Sequence, residues 1–142
     1  MNPLSFALLG ALCWGIAPLF GKVALLDVSA AAGLIARTFL AGGLVAPWVI
    51  YRGGLGYLLA IPLKSWCFLT AEAFFTAVAG DLAYYSALKH GQPAEVNLII
   101  STSPFITLIL SALIFAEEIS WNKLLGGLFI CLGVFLVGLV GR

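Results

Sequence analysis

Three ionisable side chains lie inside long apolar runs: Arg37, Glu72 and Asp81. Charge in hydrocarbon is costly, so such residues usually face a bundle interior or a water-filled path, where they serve ion, proton or substrate movement. Call the N-terminal side of the membrane side A and the opposite side B. At about 1.5 Å of helical rise per residue, Arg37 and Asp81 both lie roughly 10 Å in from side B, and their equal depth predicts a pair. That pair reads either as a structural ion pair or as a gate or substrate contact. Glu72 lies roughly 10 Å in from side A, where no basic residue of a span matches its depth. A lone carboxylate there tends to hold its proton, which is the chemistry of proton coupling. It reads equally as a neutral glutamate bonded to a nearby hydroxyl or backbone group.

Further polar and aromatic groups recur at helical spacing. Trp14, Pro18 and Lys22 share a face at i, i+4 and i+8, with Lys22 placed to snorkel to side B and Trp14 placed to line a cavity or pack in a core. Tyr84 and Tyr85 follow Asp81 by three and four residues and are placed to cap its carboxylate. Asn97 and Ser101, one turn apart, offer hydrogen bonds to a polar substrate or to a neighbouring helix. Ser101, Thr102 and Ser103 lead into Pro104, which removes a backbone bond and predicts a bend at mid-membrane with a polar spot beside it. No nucleophile–base pair can be assembled around His90, the only histidine, so an enzyme is the least supported class. Cys13, Cys67 and Cys131 are widely spaced in apolar runs, with no disulfide or metal pattern, and no cofactor is expected.

The elements that must position these groups are membrane spans. The chain has 142 residues, of which 63% are hydrophobic and only 9% charged, with a mean hydropathy of +1.14. A soluble domain would carry about a quarter charged residues. The expected fold is an all-α integral membrane protein, a single domain over residues 1–142 with five transmembrane helices at about 3–26, 30–51, 65–87, 94–116 and 121–141. A linker with Gly53, Gly54, Gly56 and Pro62 separates the second and third spans, and its apolar piece at 57–63 is too short to cross and is expected at the interface. Pro93 stands where the fourth span would start, and Ser120 reads as the N-cap of the fifth. Val28-Ser29-Ala30 resembles a cleavage site, but no basic residue precedes the first apolar run, so that run is read as a span.

Trp48, Tyr51, Tyr57, Trp66 and Trp121 gather near side A, as in an aromatic belt. Arg52, Lys64 and Lys123 fall on side A, and Lys22, Lys89 and Arg142 on side B. This balance allows insertion in both orientations, or one orientation set by the insertion machinery or a partner chain. The formal net charge of +1 gives no support for nucleic-acid binding. On the fifth span Gly126 and Gly133 share a face, and Gly127 and Gly138 a neighbouring one, which suits close helix packing within a chain or between two.

Several short elements resemble those of the EamA-type drug/metabolite transporters, in particular the short five-span bacterial and archaeal members. Residues 12–22 read LCWGIAPLFGK, similar to the family's WG…P/F…K pattern. Ala36-Arg37-Thr38-Phe39-Leu40 is similar to its arginine followed by Phe and Leu. Residues 84–91, YYSALKHG, are close to YxALKxG, and residues 101–105, STSPF, to S-x-S-P-hydrophobic. Residues 115–120, FAEEIS, resemble LGE-basic-LT, with Ala116 at the usual Gly and Glu118 at the usual basic residue. The resemblance covers nearly the whole chain. It implies a secondary transporter of small metabolites, amino acids or drugs that works by alternating access in the inner or plasma membrane, with export the favoured direction. Longer members carry two inverted halves, so this chain resembles one half of an inverted-repeat transporter and needs a second copy, as a homodimer that is parallel or antiparallel. The alternative reading is a non-transporting membrane subunit that pairs with another chain. By depth, spacing and residue type, Lys22, Arg37, Glu72 and Asp81 are the candidates for coupling or gating, and Trp14, Pro18, Tyr84, Tyr85, Asn97, Ser101 and Pro104 the candidates for the cavity.

Overall fold

Apolar sequence of this length can satisfy its backbone in lipid only by helix formation, and the computed structural model, which describes residues 2–140, is helical along its spans but for one turn at Ser101–Thr102. The elements are α1 (Pro3–Ala24), α2 (Ala30–Tyr51), α3 (Gly54–Leu59), α4 (Leu63–Ala73), a π-helical segment (Phe74–Gly80), α5 (Asp81–His90), α6 (Pro93–Ile100), α7 (Ser103–Phe115) and α8 (Trp121–Val140). Four stretches, Pro3–Ala24, Ala30–Tyr51, Leu63–His90 and Pro93–Phe115, are long and apolar enough to cross a membrane. The fifth apolar helix is α8, of 20 residues. The protein is an all-α, multi-pass membrane protein. Gly141 and Arg142, counted above in the fifth span and on side B, lie outside the described residues, as do the surroundings of Gly138.

The span ends are set by local chemistry. Ser29, in the cleavage-site-like run, is the N-cap of α2: its hydroxyl accepts from Ala32 N–H at 3.2 Å. Ser120 accepts from Lys123 N–H at 3.4 Å, the expected cap of α8. Pro93 occupies the first turn of α6. The third span starts at Leu63, two residues before the expected start, because Pro62 has extended backbone and ends the linker. The interfacial piece is correspondingly α3, Gly54–Leu59, entered through the left-handed turn of Gly53 at φ 69°. At mid-span the expected bend is an interruption. Ser101 and Thr102 form a turn, with N–H bonds from Thr102 to Ile99 O and from Phe105 to Thr102 O. The hydroxyls of Ser101 and Thr102 donate to Leu98 O and Ile99 O at 2.5 and 2.8 Å. Pro104 has no N–H to continue the ladder toward Ile100 O, and the two hydroxyls bond the carbonyls just before it, of Leu98 and Ile99.

The chain forms two packing units, Leu19–His90 and the segments on either side of it. In Leu19–His90 a small core joins Leu25, Tyr85 and Leu88, with Ala30 and Tyr84 against it. Gly33 lets α2 reach it, since a Cβ there would stand 2.9 Å from Leu25 Cδ2 and 3.3 Å from the Tyr85 ring. In the other unit Gly127 receives the Phe105 ring, whereas Gly126 and Gly133 have nothing within 4 Å of a Cβ position. The close glycine contact on α8 is therefore on Gly127, and among the described residues nothing packs against Gly126 or Gly133.

Candidate functional site

The second and third spans bring the expected charges together. Arg37 Nη2 donates to Asp81 Oδ2 in an ion pair. Arg37 is carried mid-helix on α2, and Asp81 opens α5 directly after the π-helical segment. The guanidinium also lies over the Tyr85 ring, 5.6 Å from its centroid, a cation–π geometry. Tyr85 is only 8% exposed and meets Tyr84 edge to face at 5.9 Å. Tyr85, read as a cap for the Asp81 carboxylate, thus presents its ring to the arginine instead. The Arg37 side chain is 48% exposed and that of Asp81 23%. A guanidinium carries five N–H donors, so this arginine, braced on one side by a carboxylate and a ring, still presents donors outward.

Lys22 and Lys89 stand near the ends of the same unit. Lys22 Nζ donates to Leu88 O at 2.8 Å and Lys89 O at 3.0 Å. Lys89 Nζ donates to Val28 O at 2.5 Å and Leu25 O at 3.3 Å. Lys22, placed by its sequence position as a snorkelling cation, is thus tied to the carbonyl end of α5. In the sequence Lys89 reads as one more boundary charge; only the fold reveals whose carbonyls it meets.

The remaining candidates are more dispersed. Glu72 lies in the last turn of α4 and is exposed. Its backbone carbonyl accepts from Thr76 Oγ1 at 2.9 Å, and among the described residues its carboxylate has neither hydrogen bond nor ion pair. Trp14 is 80% exposed on α1, while Pro18 is the buried residue of that helix. Asn97 is half-buried on α6 and its carbonyl accepts from Ser101 N–H at 3.0 Å. Pro104 is exposed in the first turn of α7. A groove of about 300 Å³ on α8, lined by Leu125, Leu128, Phe129 and Leu132, is apolar and contains none of the candidates. Among the described residues no cluster suits a metal ion.

Comparison with known proteins identifies a transporter family. The EamA-like transporter family matches residues 1–139. An uncharacterized transporter of Archaeoglobus fulgidus is 26% identical over 96% of this chain and 48% of its own length. One from Sinorhizobium is 29% identical over 93% of both chains. One from Haemophilus influenzae is 26% identical over 93% of this chain and 42% of its own. The chain thus spans about half the length of the Archaeoglobus and Haemophilus relatives. No solved structure matches significantly.

Proposed function

Because the chain belongs to the EamA-like transporter family, we propose that it moves small solutes across the cell membrane by alternating access, as a homodimer. The observation that carries this reading is the Arg37–Asp81 pair beside Tyr85. Charged groups inside spans mark substrate and ion paths. An anionic group on a solute competes with Asp81 for the guanidinium, and a proton on Asp81 weakens the same pair. The pair is therefore suited to open and close as solute loads and leaves. The substrate class is metabolites, amino acids or drugs, and the direction is export.

The dimer reading rests on three further features. Two relatives are about twice as long as this chain. Large apolar side chains on every span are exposed on the protomer. The boundary Lys and Arg residues are balanced, three against three. An antiparallel pair uses all three, because it supplies the inverted second half that a shared cavity requires. It also brings the partner copy's arginine to the depth of Glu72.

Purified protein in liposomes, offered a mixed metabolite pool, is expected to exchange at least one solute, and Arg37→Gln to abolish that exchange. Reporter fusions at residue 142 are expected on both faces of the membrane. Absence of any exchange by well-folded protein rejects the transporter reading. Fusions on one face only, with exchange intact, reject the antiparallel arrangement.

A further inference from the structure

Between Glu72 and Asp81 the third span leaves the α-helical ladder. Through Phe74–Gly80 the backbone is π-helical, and Asp81 N–H donates to Thr76 O, five residues back. Each such loop encloses one residue more than an α turn. Over the segment the chain falls behind an α-helix by about one residue, which is roughly 100° of rotation about the axis. An uninterrupted α-helix would carry Asp81 around to a face that does not meet Arg37 of α2.

One position makes this turn possible. A Cβ on residue 80 would stand 2.6 Å from the carbonyl oxygen of Phe75. That neighbour is backbone, so it cannot swing aside as a side chain would. Gly80 is needed for space rather than for a left-handed φ, since Gly53 is the glycine with positive φ among the described residues. Asp81 is the next residue, and it makes the ion pair. Thr76 supports the wide turn by donating its hydroxyl to Glu72 O at 2.9 Å.

We propose that Gly80 is a positioning residue of the transport site: by admitting the π turn it delays the third span by about one residue and so aims Asp81 at Arg37. This rests on the reading of the Arg37–Asp81 pair as part of the transport path. Gly80→Ala drives the segment toward α turns, and Asp81 rotates away from α2. Deleting Ala79, an exposed small residue of the segment, removes the extra residue itself, so an α ladder then delivers Asp81 to the same face.

Proximity is read without the ion pair, in a chain carrying Cys13→Ala, Cys67→Ala and Cys131→Ala together with Arg37→Cys and Asp81→Cys. A short homobifunctional maleimide should join positions 37 and 81 within one chain, detected by intact mass. Adding Gly80→Ala should slow this intramolecular crosslink by at least about tenfold, and further deletion of Ala79 should restore it. Solute exchange, followed separately with Arg37 and Asp81 in place, should fall and recover in the same order. Parental crosslinking with Gly80→Ala overturns the proposal, as does a folded Gly80→Ala chain that the deletion fails to rescue. Should Gly80→Ala not fold, deletion of Ala79 alone decides: retained crosslinking upholds the register argument and its loss overturns it. If no variant and no parent exchanges solute while the crosslinking pattern holds, the transport reading falls and the positioning by Gly80 stands.

Discussion

Lys22 and Lys89 reach across to each other's neighbourhood: the Lys22 ammonium sits on the carbonyl end of α5, and the Lys89 ammonium on carbonyls of the connection between α1 and α2. Lys22 reaches Leu88 O and Lys89 O at 2.8 and 3.0 Å, and Lys89 reaches Val28 O and Leu25 O at 2.5 and 3.3 Å. The last carbonyls of a helix have no intrahelical partner, and the dipole makes that end negative. Lys22 lies against that negative end of α5, whereas Lys89 is held by carbonyls of the connection between α1 and α2. Replacing either by methionine keeps much of the apolar stem and removes the carbonyl bonds. Lys22→Met and Lys89→Met are each expected to cost about 1–2 kcal/mol, read as a lower melting temperature in detergent. The double variant should cost less than the sum if the two sets of bonds act as a unit.

Breaking the ion pair from one side should be worse than removing it whole. Arg37→Gln leaves Asp81 uncompensated, and Asp81→Asn leaves Arg37 so. Each should destabilise the protein by about 3 kcal/mol, while the combined variant should recover more than half of that loss. Equal and additive losses in a thermal double-mutant cycle would falsify the coupling. The combined variant should be stable yet inactive, which separates fold from transport.

Glu72 bears on the driving force. The residue is exposed and its carboxylate has no partner among the described residues, so it is available either to a proton or, in the proposed dimer, to a second copy. With proton-driven exchange, Glu72→Gln should leave the fold intact and remove the dependence of uptake on an imposed pH gradient. Uptake in liposomes that still follows the gradient in this variant excludes Glu72 as the coupling group.

Pro104→Ala restores an N–H that can donate toward Ile100 O and continue α6 into α7. Pro104 stands in a first turn, where no donor is needed, so stability should change by less than about 0.5 kcal/mol. The interruption at Ser101–Thr102 should close, and exchange should slow by about tenfold, equivalent to 1.4 kcal/mol in the barrier. Unchanged kinetic constants would make the interruption incidental.

Ala116 ends α7 in the left-handed conformation, with φ 52° and ψ 35°. That region is unfavourable for a residue with a Cβ and free for glycine. The position is the one at which the resemblance noted above has Gly, and the backbone explains why. Ala116→Gly is expected to stabilise the protein by about 0.5–1 kcal/mol, seen as a raised melting temperature with transport unaltered.

The membrane class and the apolar runs that carry it were legible in the sequence. Hydrocarbon demands about twenty successive apolar residues with every backbone group satisfied inside the segment, so length and composition along the chain suffice to find them. The expected ends at 3, 30, 51 and 121 coincide with helix ends. Equal depth along α2 and the third span also brought Arg37 and Asp81 together, because depth in a membrane is a one-dimensional coordinate. What the residues alone did not show is rotation and contact. The π turn at Phe74–Gly80 shifts faces without altering composition. The carbonyl bonds of Lys22 and Lys89, and the room that Gly33 leaves for Leu25 and Tyr85, depend on which backbones meet across long stretches of sequence. Apolar side chains are interchangeable in lipid, so nothing in their pattern says which face turns toward a neighbour. That choice is made only when helices pack and carbonyl oxygens, ammonium groups and missing Cβ atoms come within a few ångströms of one another.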